Sequence, residues 1–158
     1  MIFDTLKKLF STAEKQDSTS NKDENKDIAL AVTAIMLEIM YIDDKHEISE
    51  QQHIIAAITK RFQLEHDEME ILMRDAKVAQ HQATDFHQFT SRIQEHYNTE
   101  ERIEFLQELW SIAMVDGHID PYEEQLIRRI ANLIGVYHGE FIQAKIQAKR
   151  QLPPTSPL

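Results

Sequence analysis

Apolar positions recur at spacings of three and four along most of the chain, which predicts helices. The clearest case lies between Glu100 and Val136. Ile103, Leu106, Leu109, Trp110, Ala113 and Met114 share one helical face, and Ile127, Ile130, Ala131, Leu133 and Ile134 form a second stripe after a short polar break. Asp116-Gly117 supplies the turn, because glycine tolerates a left-handed backbone and aspartate bonds to its own following backbone. Asp120-Pro121-Tyr122-Glu123 then restarts a helix. Asp120 accepts from an exposed amide, Pro121 takes the first helical position, and Glu123 at the third can bond back. Gly135 is a left-handed stop signal. The predicted unit is helix, acidic turn, helix, folded into a hairpin or a sharp corner.

A similar unit runs from Ile28 to Leu64. Asp27 is the expected cap of a helix carrying Ile28, Ala31, Val32, Ile35, Met36, Ile39 and Met40, with Leu30 and Leu37 on other faces. A helix apolar nearly all round belongs at the centre of a bundle. The turn Asp43-Asp44-Lys45-His46-Glu47 follows, and Ser49 with Gln52 is the expected cap of a helix through Ile54, Ile55, Ile58 and Phe62. The second-helix cores match at a constant offset of 72 residues, as in Ile58 with Ile130 and Leu64 with Val136. Two structural repeats related by approximate internal symmetry explain that coincidence.

Between the repeats, Met69, Leu72, Met73, Ala76 and Ala79 predict a helix starting near Asp67. Thr84 is the expected cap of another, burying Phe86, Phe89, Ile93 and Tyr97. Asn98 or Thr99 is the expected cap of the next, with Glu101 placed for a capping box if Asn98 is the cap. A last helix with Phe141, Ile142, Lys145 and Ile146 is expected along the outside. No segment alternates as a strand would. The expected fold class is all-α: a helical bundle of about seven helices built as two pseudo-symmetric halves.

Composition divides the chain further. Residues 27–150 form the helical domain, 151–158 a proline-rich flexible tail, and 11–26 a polar segment with one apolar residue, Ala13, expected to be a disordered linker. Residues 1–10, MIFDTLKKLF, are amphipathic if helical. Three roles are open for them: docking onto the domain, a handle for self-association or a protein partner, and weak contact with a membrane surface. The formal charge of −10 and the lack of a basic patch argue against nucleic acid. With no cysteine there is no disulfide, thiolate nucleophile or cysteine zinc site.

Candidate chemistry is confined to the two turns. Asp43, Asp44 and Glu47 lie in the first, and Asp116, Asp120, Glu123 and Glu124 in or just after the second. If symmetry brings the turns to one end, up to seven carboxylates share a surface of the kind hard divalent cations prefer; calcium, magnesium and manganese are the candidates. The spacing is not that of an EF-hand. Helix capping alone already accounts for Asp120, Glu123 and Ser49, and stands as the competing reading. His46 and His118 lie in the turns without a metalloprotease spacing. No nucleophile elbow, phosphate-cradling loop or acid–base pair is present, so no enzyme is expected.

Met114-Val-Asp-Gly-His-Ile-Asp-Pro-Tyr-Glu-Glu, followed by Leu126-Ile and Ile130-Ala-x-x-Ile-Gly, resembles the tellurite-resistance TerB family and its relatives attached to some DnaJ-like co-chaperones. The earlier Tyr41-Ile-Asp-Asp with Ile48-Ser is similar to the family's first copy, and the resemblance covers roughly Ile28 to Ala148. It implies an all-helical fold of two halves whose acidic residues gather into a cation-binding surface. It also implies a non-enzymatic interaction module in bacterial stress complexes, cytoplasmic or peripheral at the inner membrane. By position it points to Asp43, Asp44, Asp116 and Asp120 with Glu123 or Glu124. Gln51 and Gln52 stand where the second unit has Glu123 and Glu124, which weakens the first half-site. A metal-independent adaptor, binding a protein through the N-terminal segment or a bundle face, and a dimer remain open.

Overall fold

The computed structural model describes residues 19–42, 47–115 and 117–151, with side chains from Asn25 onward in the first stretch and from Ile48 onward in the second. The N-terminal decamer, Asp43, Asp44, His46, Asp116 and the tail after Gln151 lie outside the described residues.

Seven helices follow one another: α1 (Thr19–Ile42), α2 (Glu47–Phe62), α3 (His66–Gln82), α4 (His87–His96), α5 (Thr99–Ala113), α6 (Pro121–Leu133) and α7 (His138–Gln151). No strand occurs among the described residues. From Ile28 to Met40 nearly every α1 side chain is buried, including Leu30 and Leu37. All-round burial needs neighbours on every side, and α1 contacts α2, α3, α4, α5 and α6. This helix begins at Thr19, not at the Asp27 cap expected from the sequence, so residues 19–26, read as linker, are helical. Lys26 is only 3% exposed.

The packing repeats. Helix α2 lies on α1 and α6 on α5, while α1 also touches α6 and α2 touches α5. Likewise α3 covers α1 as α7 covers α5. Helix ends agree at the 72-residue offset. Gly135 adopts φ +79° and the Val136 N–H donates to the Ala131 carbonyl at 2.9 Å; Gln63 adopts φ +52° and the Leu64 N–H donates to the Thr59 carbonyl at 3.1 Å. Both are left-handed helix stops, one with the residue that tolerates the conformation freely and one without it.

Local caps decide the remaining boundaries. Asn98 and Glu101 form the expected reciprocal box, each bond at 2.9 Å. Ser49, expected as a cap, lies inside the first turn of α2, because that helix opens at Glu47. Helix α3 opens one residue before Asp67, with the Glu65 N–H donating to Glu68 at 2.8 Å. Thr84 does not cap α4; the Asp85 carboxylate takes the His87 N–H at 2.9 Å instead. The outer helix α7 is anchored by Phe141, Ala144 and Ala148, all buried, and Ile146 faces out. Arg128 and Arg129, on the exposed side of α6, lie over the Phe141 and Phe86 rings, their guanidinium carbons 4.9 and 5.6 Å from the centroids.

One buried charge on α3 opposes folding. Asp75 is 6% exposed, its Oδ2 has no hydrogen-bond partner, and Arg74 Nε approaches Oδ1 only to 3.8 Å. Burial raises its carboxyl above the ordinary carboxylate range. A raised folded-state value means stability is greatest below the unfolded value and is lost as pH rises through the folded one. Asp75→Asn is therefore expected to raise stability by about 1 kcal/mol at pH 7, with a smaller gain at pH 4. Urea unfolding at the two pH values checks this; an equal change at both would contradict it.

Candidate functional site

Helix α5 stops at Ala113, and Gly117 turns the chain at φ +89° while its N–H donates to the Met114 carbonyl at 2.8 Å. Asp120 then caps α6, its Oδ1 accepting from the Tyr122 N–H at 2.7 Å, with Pro121 at the first helical position. This local geometry determines where the next carboxylates fall. Glu123 is three residues before Leu126 and four before Ile127, so it shares their inward face and is 1% exposed. Glu124 lies between the faces and accepts from Lys145 Nζ at 2.9 Å, tying α6 to α7.

The first repeat has a counterpart that sequence reasoning missed. Glu50 lies in the first turn of α2, four residues before Ile54 and eight before Ile58, and is 1% exposed like Glu123. Its helical spacing from those two isoleucines was the available signal. At the 72-residue offset Glu123 falls on Gln51, and Glu50, one position earlier, is the first-repeat carboxylate that is buried in the same helical turn. Both carboxylates lie near a helix N-terminus, where exposed N–H groups and the helix dipole offset part of the cost of burying negative charge. The rest of that cost must be met by donors or by cations.

Of the seven acidic residues read from the sequence, Asp120 is engaged as a cap, Glu124 pairs with Lys145, and Glu123 is buried. Glu47 begins α2, its side chain outside the described set. Asp43, Asp44 and Asp116 lie outside the described residues, and so does any meeting of Asp43 with Asp116. His118 is exposed. Among the described residues no three His, Asp or Glu side chains come together as a metal site.

The family model for tellurite resistance protein TerB matches residues 29–146, which takes in most of the chain and reaches from α1 into α7. The chain belongs to the TerB family. Comparison with curated proteins and with solved structures gave no significant match. The TerB match spans both repeats and both acidic turns. It makes the chain a non-catalytic helical module with the general association of that family with stress response. No described helix is long and apolar enough to cross a membrane.

Proposed function

We propose that this TerB domain is a divalent-cation-binding interaction module whose ligands are the carboxylates of the two acidic turns, with Glu50 and Glu123 among them. The observation that carries the reading is the matched pair of inward carboxylates, each in the first turn after an acidic turn and each 1% exposed. Oxygen donors suit calcium, magnesium or manganese. Asp43, Asp44 and Asp116 supply further carboxylates at the same two places in sequence. Asp120 and Glu124 already have structural work as cap and ion-pair partner, so they are the weaker ligand candidates.

The adaptor reading draws on a separate observation. Ile48 and Tyr122, in the first turns of α2 and α6, are 77% and 71% exposed. Apolar side chains beside the acidic turns suit a protein partner that covers these helix starts. A metal could order the turns that such a partner reads. Calorimetric titration with calcium, magnesium and manganese tests the metal half of the proposal. Binding tighter than about 1 mM is expected, together with its loss in Glu123→Gln and Asp116→Ala.

A further inference from the structure

A groove of about 930 Å³ runs between α2 and α5, beside the start of α1. Ile28, Ala56, Ala57 and Phe62 supply the apolar part of a lining that is otherwise polar or charged. Glu101 and Glu104 stand on the α5 side and Lys60 on the α2 side. Glu108 and Arg61 also line it but are paired with each other. The α5 wall extends from Glu101 to Ser111, ten residues of helix or about 15 Å.

We propose that this groove is the docking site of the chain's own residues 1–10, seated as an amphipathic helix. Ten helical residues also measure about 15 Å. Ile2, Phe3, Leu6, Leu9 and Phe10 supply an apolar face for Ala56, Ala57 and Phe62. Lys7 and Lys8 complement Glu101 and Glu104, and Asp4 complements Lys60. The tether permits it. Asn25 lines the groove, Thr19 lies about 9 Å further along α1, and the nine steps from Phe10 to Thr19 reach about 30 Å when extended. Tethering also gives the decamer a high effective concentration at the groove, which an untethered partner lacks. The docking is independent of metal binding at the acidic turns.

Because the chain has no cysteine, an engineered pair reports one contact. In the full chain, Leu6→Cys with Ala56→Cys is compared with Leu6→Cys with Gln125→Cys, which places the second thiol on the exposed side of α6. Under mild oxidation at low protein concentration, the Ala56 pair should close an intramolecular disulfide about tenfold faster than the control. Adding Lys7→Glu and Lys8→Glu should slow that closure several-fold, and circular dichroism confirms that each variant folds. Equal rates for the two pairs, crosslinked dimers in place of monomers, or closure indifferent to charge reversal would each overturn the proposal.

Discussion

Trp110→Ala is expected to destabilise the domain by about 3–5 kcal/mol, a large share of the roughly 5–15 kcal/mol that holds a typical domain together. Trp110 is fully buried on α5, with the Phe141 ring centroid 5.2 Å away and Lys145 Nζ 5.2 Å above the indole. It is therefore the main link between α5 and the outer helix α7, whose other anchors are two alanines. Truncation leaves a void that alanines cannot fill. Trp110→Phe separates shape from chemistry. The indole Nε1 is buried without a hydrogen-bond partner, so its removal relieves one cost while part of the ring volume is lost. A loss of about 1 kcal/mol is expected for phenylalanine. Urea unfolding followed by far-ultraviolet circular dichroism distinguishes the two; equal losses would contradict the packing account.

The second large effect is expected at the link between α2 and α5. Arg61 forms a forked ion pair with Glu108, with Nε at 3.0 and 3.2 Å from the two carboxylate oxygens, and its Nη1 donates to the Tyr97 hydroxyl at 3.0 Å. Burial holds the Glu108 carboxyl above its ordinary range in spite of the guanidinium beside it. For the carboxylate desolvation outweighs attraction, whereas for Arg61 desolvation is outweighed by the attraction of Glu108, which holds the guanidinium above its ordinary range. The two effects oppose each other, so the pair adds little net stability at neutral pH. Removing one member is another matter, because the other is left half-buried and uncompensated. Glu108→Ala or Arg61→Ala should each cost about 2–3 kcal/mol, between the values for buried and exposed pairs. The double replacement Arg61→Met with Glu108→Leu should return to within about 1 kcal/mol of the parent. A double-mutant cycle in urea measures this coupling, and simple additivity of the two losses would contradict it.

Much of the fold is legible in local pattern. The Asn98–Glu101 box, the Asp120–Pro121 start and the Gly135 stop rest on interactions within a few residues, so spacing alone reveals them. The central place of α1 follows from its apolar residues on every face. Contacts between distant helices were not legible. Arg128 and Arg129 look like surface charges until the fold brings Phe141 and Phe86 beneath them. Ala144 and Ala148 are too small to mark α7 as anchored, although both are fully buried. The polar start of α1 has no apolar period to betray it as helix. At the candidate site, acidic turns were visible, but the inward turn of Glu50 and Glu123 was not, since carboxylates are ordinarily assigned to solvent. Their positions before Ile54 and Ile127 carried the information that residue type concealed.

The central claim is that these two inward carboxylates belong to a cation site. Calorimetric titration of manganese and calcium into the parent, Glu50→Gln, Glu123→Gln and the double variant tests it most directly. Glutamine keeps the size and one acceptor oxygen while removing the charge, and folding is checked separately by circular dichroism. The account predicts binding to the parent tighter than about 1 mM, weakened at least tenfold by either single change. No binding in that range by the folded parent, or binding unchanged in the double variant, would contradict it.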